Sequence, residues 1–112
     1  MARAKSLNTG ELTDTMYYIL LNLIKPSHGY MIMQNVEALT HNKFSIGPGS
    51  LYTTLKKLLD EDLIKMIKDQ EDNKKTYVIT DKGLRMLQEE VARKQDMVSH
   101  AEKILNDKDG FK

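Results

Sequence analysis

The sequence contains no cysteine and no tryptophan among its 112 residues. Without thiols the chain can form neither a disulfide framework nor a thiolate metal site, and it has no cysteine nucleophile. No hydrophobic run approaches the length of a membrane-spanning helix, and no secretory signal is evident, so we expect a soluble cytoplasmic protein without a membrane partner. The formal net charge is only +1, so composition alone does not give the basic footprint that DNA-binding proteins usually carry.

What remains fits one small domain without a catalytic centre. With 40% hydrophobic residues the chain can bury a single modest core. Its histidines, His28, His41 and His100, are too far apart for metal-ligand spacing. No nucleophile with a neighbouring base and no carboxylate pair stands out along the chain. We therefore expect no enzyme activity, no metal and no cofactor.

Hydrophobic periodicity predicts two helices in the N-terminal part of the chain. Asn8 and Glu11 have the spacing of a capping box, and the apolar positions after them follow a helical period over residues 10–24. Pro26 would end this helix. Ser27 can cap a second helix over residues 28–40. The candidate inner stripe of that helix consists of Tyr30, Met33 and Val36.

A third helix has the clearest pattern. It follows a connector over residues 41–47, with Gly47 suited to the N-cap and Pro48 to the first helical position, and it extends to about Asp62. Its apolar positions, at i, i+4, i+7 and i+8, form a core-facing stripe: Leu51, Leu55, Leu58 and Leu59. The opposite face carries hydroxyls and lysines that could enter a DNA major groove: Ser50, Thr53, Lys56 and Lys57.

Two short strands and a long helix complete the chain. Apolar and β-branched residues over 63–68 and 74–80, joined by a polar loop at 69–73, predict a β-hairpin. Thr80 or Asp81 can cap a final helix that reaches about residue 105.

The last helix carries the pattern of a coiled-coil seam. Seven positions alternate strictly between spacings of three and four residues: Leu84, Leu87, Val91, Lys94, Val98, Ala101 and Leu105. So small a body cannot cover a seam of this length by itself. We therefore predict a homodimer, with the same helix also packing on the first helix of its own chain. The two copies of the third helix in the dimer would then bind an inverted repeat in DNA, whose half-sites lie about one DNA turn apart.

The element order predicts a mainly α fold with a small β-hairpin: a winged helix-turn-helix plus a long C-terminal dimerisation helix. The second and third helices form the helix-turn-helix, and the hairpin is the wing. We assign residues 1–80 to the DNA-binding domain and 81–112 to the dimerisation helix and tail, joined in one compact unit.

Four short motifs, in this order and spacing, resemble the PadR family of bacterial transcriptional regulators. They are His28-Gly29-Tyr30, Gly49-Ser50-Leu51-Tyr52, Leu63-Ile64, and Lys75-Thr76-Tyr77 followed by Ile79-Thr80-Asp81-Lys82-Gly83. The resemblance covers residues 11–105. The chain departs from the family pattern at the acidic wing loop, residues 70–73, and at Val78, where relatives tend to carry an aromatic or basic residue.

The resemblance implies a dimeric DNA-binding protein that represses transcription, and it favours Lys74 and Lys75 as the wing's contacts. The predicted DNA-binding residues are Ser50, Tyr52, Thr53, Lys56, Lys57, Lys74 and Lys75. Some relatives hold aromatic drugs between the dimer helices through tryptophan, which this chain lacks. A pocket for a small aromatic effector could instead be bordered by Tyr17, Tyr18 and Met97.

A rival interpretation is a winged-helix protein-interaction module without a DNA target. Its support is the low net charge and the acidic tip of the wing.

Overall fold

The structure, a computed structural model, describes residues 12–68 and 75–107. Its helices are α1 (Asp14–Asn22), α2 (Gly29–Leu39), α3 (Pro48–Asp60) and α4 (Asp81–Asn106), and its strands are β1 (Ser27–His28), β2 (Ile64–Lys68) and β3 (Lys75–Ile79). The predicted mainly α architecture with a hairpin is confirmed. The acidic loop of the wing and Lys74 lie outside the described residues.

The sheet contains one strand that the sequence did not predict. Its order is β1-β3-β2, and both pairs are antiparallel. β1 pairs Ser27 with Tyr77 and His28 with Thr76. Because Ser27 is paired in the sheet, α2 begins one residue later than expected, with His28 at the N-cap and no side-chain capping bond. The prediction that Ser27 caps this helix was therefore wrong.

The start of α1 also differs from the prediction. Thr13 is the N-cap, and its hydroxyl accepts a hydrogen bond from the backbone N–H of Met16 at 3.1 Å. This bond satisfies one of the free donors of the first turn, so the helix begins at Asp14 rather than near residue 10. The predicted capping pair, Asn8 and Glu11, lies outside the described residues.

The inner face of α2 is rotated from the predicted stripe. Val36 is buried as expected, but Tyr30 is 63% exposed and Met33 is only partly buried. The buried face consists instead of Gly29, Ile32 and Val36. The close approach of α3 to Gly29, described below, turns that residue inward and its neighbour Tyr30 outward.

The core joins α1, α2, α3 and the sheet. Gly47 is the N-cap of α3 and Pro48 its first residue, as predicted. Leu51, Leu55 and Leu58 are buried, while Leu59 is partly buried beside them. The other buried hydrophobic residues are Leu12, Met16, Ile19, Leu20, Leu23, Ile32, Val36, Ile46, Leu63, Ile64, Tyr77 and Leu87.

A hydrogen-bonded turn ends α3 and leads directly into β2. The N–H of Leu63 donates to the carbonyl of Leu58 at 2.9 Å, and that of Asp62 donates to the carbonyl of Leu59 at 3.0 Å. This is the Schellman arrangement, in which Asp62 adopts the left-handed conformation with φ of 62°. The turn fixes where α3 ends relative to the hairpin.

The last helix is docked on the body at its start and projects beyond it at its end. The hydroxyl of Thr80, the N-cap of α4, accepts from the N–H of Gly83 at 3.0 Å. Leu87 and Glu90 are buried, but every described residue from Gln95 onward is exposed. None of the described helices has a stretch long and apolar enough to cross a membrane.

Candidate nucleic-acid interface

The outer face of α3 is the candidate reading surface. Ser50, Thr53 and Lys57 all lie on the solvent side, opposite the buried leucine stripe. The first turn after Gly47 contains no acidic residue. The positive end of the helix dipole and the backbone N–H groups of the first turn are therefore exposed to solvent. Two hydroxyl side chains lie beside them. Such a helix start can accept a phosphate group.

The two lysines of α3 differ in their partners. The ammonium of Lys56 lies 3.4 Å from a carboxylate oxygen of Asp60, and both side chains are mostly exposed. Among the described residues, Lys57 forms no ion pair. An exposed pair one turn apart is worth only about 0.3–0.5 kcal/mol, so an incoming phosphate could displace Asp60 from Lys56 at little cost.

The fold brings one wing lysine next to α3. Tyr52 from α3 and Lys75 from β3 line one open cavity of about 530 Å³, together with His28, Gly29 and Tyr30. The backbone register pairs Lys75 with Lys68 across the hairpin. Lys74 lies outside the described residues.

Tyr52 is held in place by a contact that sequence reasoning missed. A Cβ atom built on Gly29 would lie only 2.5 Å from the Tyr52 hydroxyl oxygen. The Tyr52 ring can therefore occupy this position against α2 because position 29 lacks a side chain. Gly29 stands in a motif that the sequence analysis singled out, but no spacing rule connects it with Tyr52.

The predicted seam of α4 divides into a covered and an uncovered part. Leu87 is 4% exposed and packs in the protomer's own core, with Leu84 and Val91 partly buried. Further along, Val98 is 56% and Leu105 63% exposed. The uncovered apolar positions, with their neighbours on the same side, are Met97, Val98, Ala101, Ile104 and Leu105.

A buried carboxylate, also missed from the sequence, organises the middle of α4. Glu90 is fully buried, and its oxygens lie 2.6 Å from the Arg93 guanidinium and 3.2 Å from the Lys94 ammonium. Hydrogen bonding to Glu90 raises the pKa of Arg93. Lys94 also stands 5.1 Å from the centre of the Tyr17 ring, in cation–π geometry. The polar position of the seam is therefore engaged with its own protomer.

Of the three residues expected around an effector pocket, Tyr17 and Tyr18 are in edge-to-face contact, with ring centres 5.5 Å apart, but they do not line one cavity. Tyr17 borders an open cavity of about 380 Å³ with Val91, Lys94, Gln95, Val98, Ser99 and Glu102. Tyr18 instead packs on Phe44, with ring centres 5.1 Å apart, and Met97 accepts a hydrogen bond from Arg93. Of the three, only Tyr17 lines this cavity.

Comparison with known proteins gives a consistent relationship. The family model "Transcriptional regulator PadR-like family" matches residues 19–89. The transcriptional regulator YqjI of Escherichia coli (strain K12) is 36% identical over 87 residues, which are 78% of this chain and 41% of that protein. The chain thus spans less than half the length of this curated relative.

Solved structures share the fold. A transcriptional regulator from Clostridium thermocellum superposes with a TM-score of 0.66 at 26% identity, over 82% of this chain and 86% of that one. A PadR family transcriptional regulator from Eggerthella lenta gives 0.67 at 26% identity, over 80% and 79%. The chain therefore belongs to the PadR-like family of transcriptional regulators, a family of regulators and not of enzymes.

Proposed function

We propose that this chain binds operator DNA as a homodimer, reads it with α3, and represses transcription from the bound promoter. The observation that carries this proposal is the outer face of α3, whose hydroxyl and ammonium side chains lie on the solvent side while its leucines are buried. A helix of 13 residues with this face fits the major groove. Such a regulator would act in the cytoplasm, where bacterial DNA lies.

Six of the predicted contacts have distinct roles in this proposal. Ser50 and the free N–H groups at the start of α3 hold a phosphate, while Thr53 and Lys57 reach base edges or phosphates further along the groove. Lys56 leaves its ion pair with Asp60 and contacts a phosphate of the DNA backbone. On the wing, Lys75, together with Lys74, contacts the neighbouring phosphates.

The uncovered end of α4 supports the dimer. Val98, Ala101 and Leu105 continue the spacing of the seam after it leaves the protomer's core. Exposed apolar patches of this kind mark association surfaces. A two-fold dimer presents two copies of α3, and it would therefore bind an inverted repeat with half-sites about 34 Å apart.

The cavity beside Tyr17 is the proposed site of an effector. It adjoins α4, so a small aromatic molecule there would change how α4 packs on α1. The Lys94 ammonium in its wall is paired with Glu90, and the wall also carries Glu102, so charge does not select the effector. Titration calorimetry of the protein with a panel of aromatic compounds tests this part, and heats equal to those of dilution would contradict it.

The DNA proposal is tested by fluorescence anisotropy. The probe is the labelled fragment just upstream of the protein's own coding region, with scrambled DNA as competitor. Wild-type protein should bind tightly despite the competitor, and Lys57→Glu or the pair Lys74→Glu/Lys75→Glu should abolish binding. The matched control is Lys103→Glu, an exposed site far along α4 with the same change of charge. It should bind as wild type does.

Two further measurements separate the outcomes. Sedimentation should give a dimer for all these variants but a monomer for Val98→Glu/Leu105→Glu. If Lys56, Lys74 and Lys75 each contact one phosphate in both protomers, log affinity should fall with log salt at a slope of about −5. Wild-type affinity in Lys57→Glu would refute the assignment of the reading face. Binding that every competitor abolishes equally would favour the protein-interaction module instead.

A further inference from the structure

The ring of Tyr52 fills a gap between α2, α3 and the sheet. A side chain at Gly29, the first residue of α2, would bring a Cβ to 2.5 Å from the hydroxyl oxygen of Tyr52 and 3.0 Å from its Cζ. The same Cβ would lie 3.1 Å from Cδ2 of Leu51. Gly29 is buried within a helix, where any L-residue could adopt its backbone conformation. Its lack of a side chain therefore matters for space and not for backbone freedom.

The ring also lies near β3. Lys75 of β3 lines the same cavity as Tyr52. Burial raises the pKa of Tyr77 on the same strand, and the charge of Tyr52 adds to this rise. The ring thus borders α2 and β3, and 51% of the residue stays exposed.

This contact lies on one flank of the leucine stripe of α3. Tyr52 follows Leu51 and so points about 100° further round the helix, about 20° from the direction of Leu59. Leu59, two turns later, is partly buried and packs against the core. Tyr52 therefore extends the contact along this flank to the first turn of α3 and resists a roll of the end that carries Ser50 and Thr53.

We propose that Tyr52 is a positioning residue: its ring, seated against Gly29 and β3, fixes the rotation of α3 and hence the direction of Ser50, Thr53 and Lys57. A roll of about 10–15° would move side-chain tips by about 1–2 Å, which is enough to lose a hydrogen bond to a base edge. The consequence for operator recognition rests on the proposed function, but the consequence for α3 does not.

Two substitutions remove the contact from opposite sides. Gly29→Ala adds a methyl group that displaces the far end of the Tyr52 side chain, and Tyr52→Ala deletes the ring and makes room for that methyl group. The two changes should therefore not be additive: once the ring is absent, the added methyl group meets only Cδ2 of Leu51, at 3.1 Å, and most of its effect is lost. Tyr30→Ala is the matched control, because Tyr30 lines the same cavity but is 63% exposed and hydrogen-bonds along its own helix, to Gln34.

The first test needs no DNA. Residual dipolar couplings of the α3 amides report the orientation and the rotation of the helix relative to the rest of the protein. They should change in Gly29→Ala and in Tyr52→Ala, stay at wild-type values in Tyr30→Ala, and be nearly the same in the double variant as in Tyr52→Ala. Unchanged couplings in Gly29→Ala, or additive changes in the double variant, would overturn the positioning role.

The second test uses DNA fragments that the wild-type protein enriches from a random-sequence pool. When α3 is no longer held in position, the affinity for an enriched fragment should fall about tenfold, which corresponds to the loss of roughly one base contact. The affinity for scrambled DNA and the salt slope should not change. Tyr52→Phe, which keeps the ring, should keep the wild-type ratio of affinities for the enriched fragment and for scrambled DNA. Equal losses on both DNAs in Tyr52→Ala would identify Tyr52 as a phosphate contact instead.

The outcome of the first test does not depend on the outcome of the second. If wild-type protein enriches no sequence at all, the DNA-binding proposal is wrong, and the dipolar couplings still decide whether Tyr52 positions α3.

Discussion

Gly83 is the point where α4 meets the end of the helix-turn-helix most closely. A side chain there would overlap the backbone carbonyl oxygen of Leu63 and approach Cγ1 of Ile79 to 2.9 Å. The Leu63 carbonyl also accepts the N–H of Thr80 at 3.0 Å, so it is fixed from both sides. Because the obstacle is backbone, no rotation of a side chain can relieve the overlap in Gly83→Ala.

The cost follows from what must move. Separating the first turn of α4 from β2 is an overpacking change of about 1–3 kcal/mol. The same shift strains two hydrogen bonds of Thr80, to the carbonyls of Leu63 and Asp62, each worth roughly 0.5–1.5 kcal/mol. Replacing glycine by alanine within a helix raises the free energy of unfolding by about 1 kcal/mol, because alanine has the higher helix propensity. We expect a net loss of about 2–4 kcal/mol in the free energy of unfolding, and a Tm lower by roughly 10–20 °C.

Gly49→Ala is the matched control, since no atom lies within 4 Å of a Cβ built there and the site is also helical. It should raise the free energy of unfolding by about 0.5 kcal/mol. Urea and thermal unfolding followed by circular dichroism, at one protomer concentration, measure both variants. A Gly83→Ala variant as stable as wild type, or both variants shifting in the same direction, would refute the reasoning.

Three other substitutions test individual contacts by the same unfolding assay. Asp62→Gly should stabilise by about 0.5–1 kcal/mol, because Asp62 has a φ of 62° that costs glycine nothing; a destabilised variant contradicts this. Thr40→Val should cost about 1–2 kcal/mol, since its hydroxyl accepts the N–H of Phe44 at 3.1 Å, and unchanged stability would count against that bond. Glu90→Gln should cost about 1–3 kcal/mol by removing the charge that pairs with Arg93; a neutral result would mean that the pair contributes nothing.

The sequence correctly predicted the helices and strands that are specified by extended patterns within their own residues. α3 combines a Gly-Pro start with four leucines in register, and α4, 26 residues long, has a capping threonine and a seam that only Lys94 interrupts. Both were found within two residues of their ends. The hairpin strands, β-branched and separated by a polar loop, were also found. In each case the residues that specify the element lie within it.

The errors concern positions that distant residues decide. β1 is two residues long and exists only because Ser27 and His28 meet β3, about 50 residues later. The spacing assigned Tyr30 to the inner stripe of α2, but the approach of α3 turned Gly29 inward instead. No periodicity within α2 distinguishes these two assignments, because neighbouring residues differ by one step around the helix.

The same limit applies to the candidate site. The outer face of α3 followed directly from helical spacing, and Ser50, Thr53 and Lys57 lie where it predicted. That Lys75 borders the same cavity as Tyr52 depends on how β3 passes α3, and that Glu90 is buried depends on how α4 packs against the body. A charged residue on a helix of mixed charge is usually solvated, so no local pattern singled out Glu90.

The low net charge does not argue against DNA binding once the local distribution of charge is considered. Screening limits the reach of an exposed charge to about 8–10 Å at physiological salt, and a helix of 13 residues is about 20 Å long. Asp60, Glu61 and Asp62 therefore act mainly on the C-terminal end of α3, which is anchored to α4 by the bond from Lys82 to the Glu61 carbonyl. The N-terminal end, free of acidic residues, lies beside Lys75 of the wing. A chain that is nearly neutral overall can thus present a positive surface where a duplex would enter.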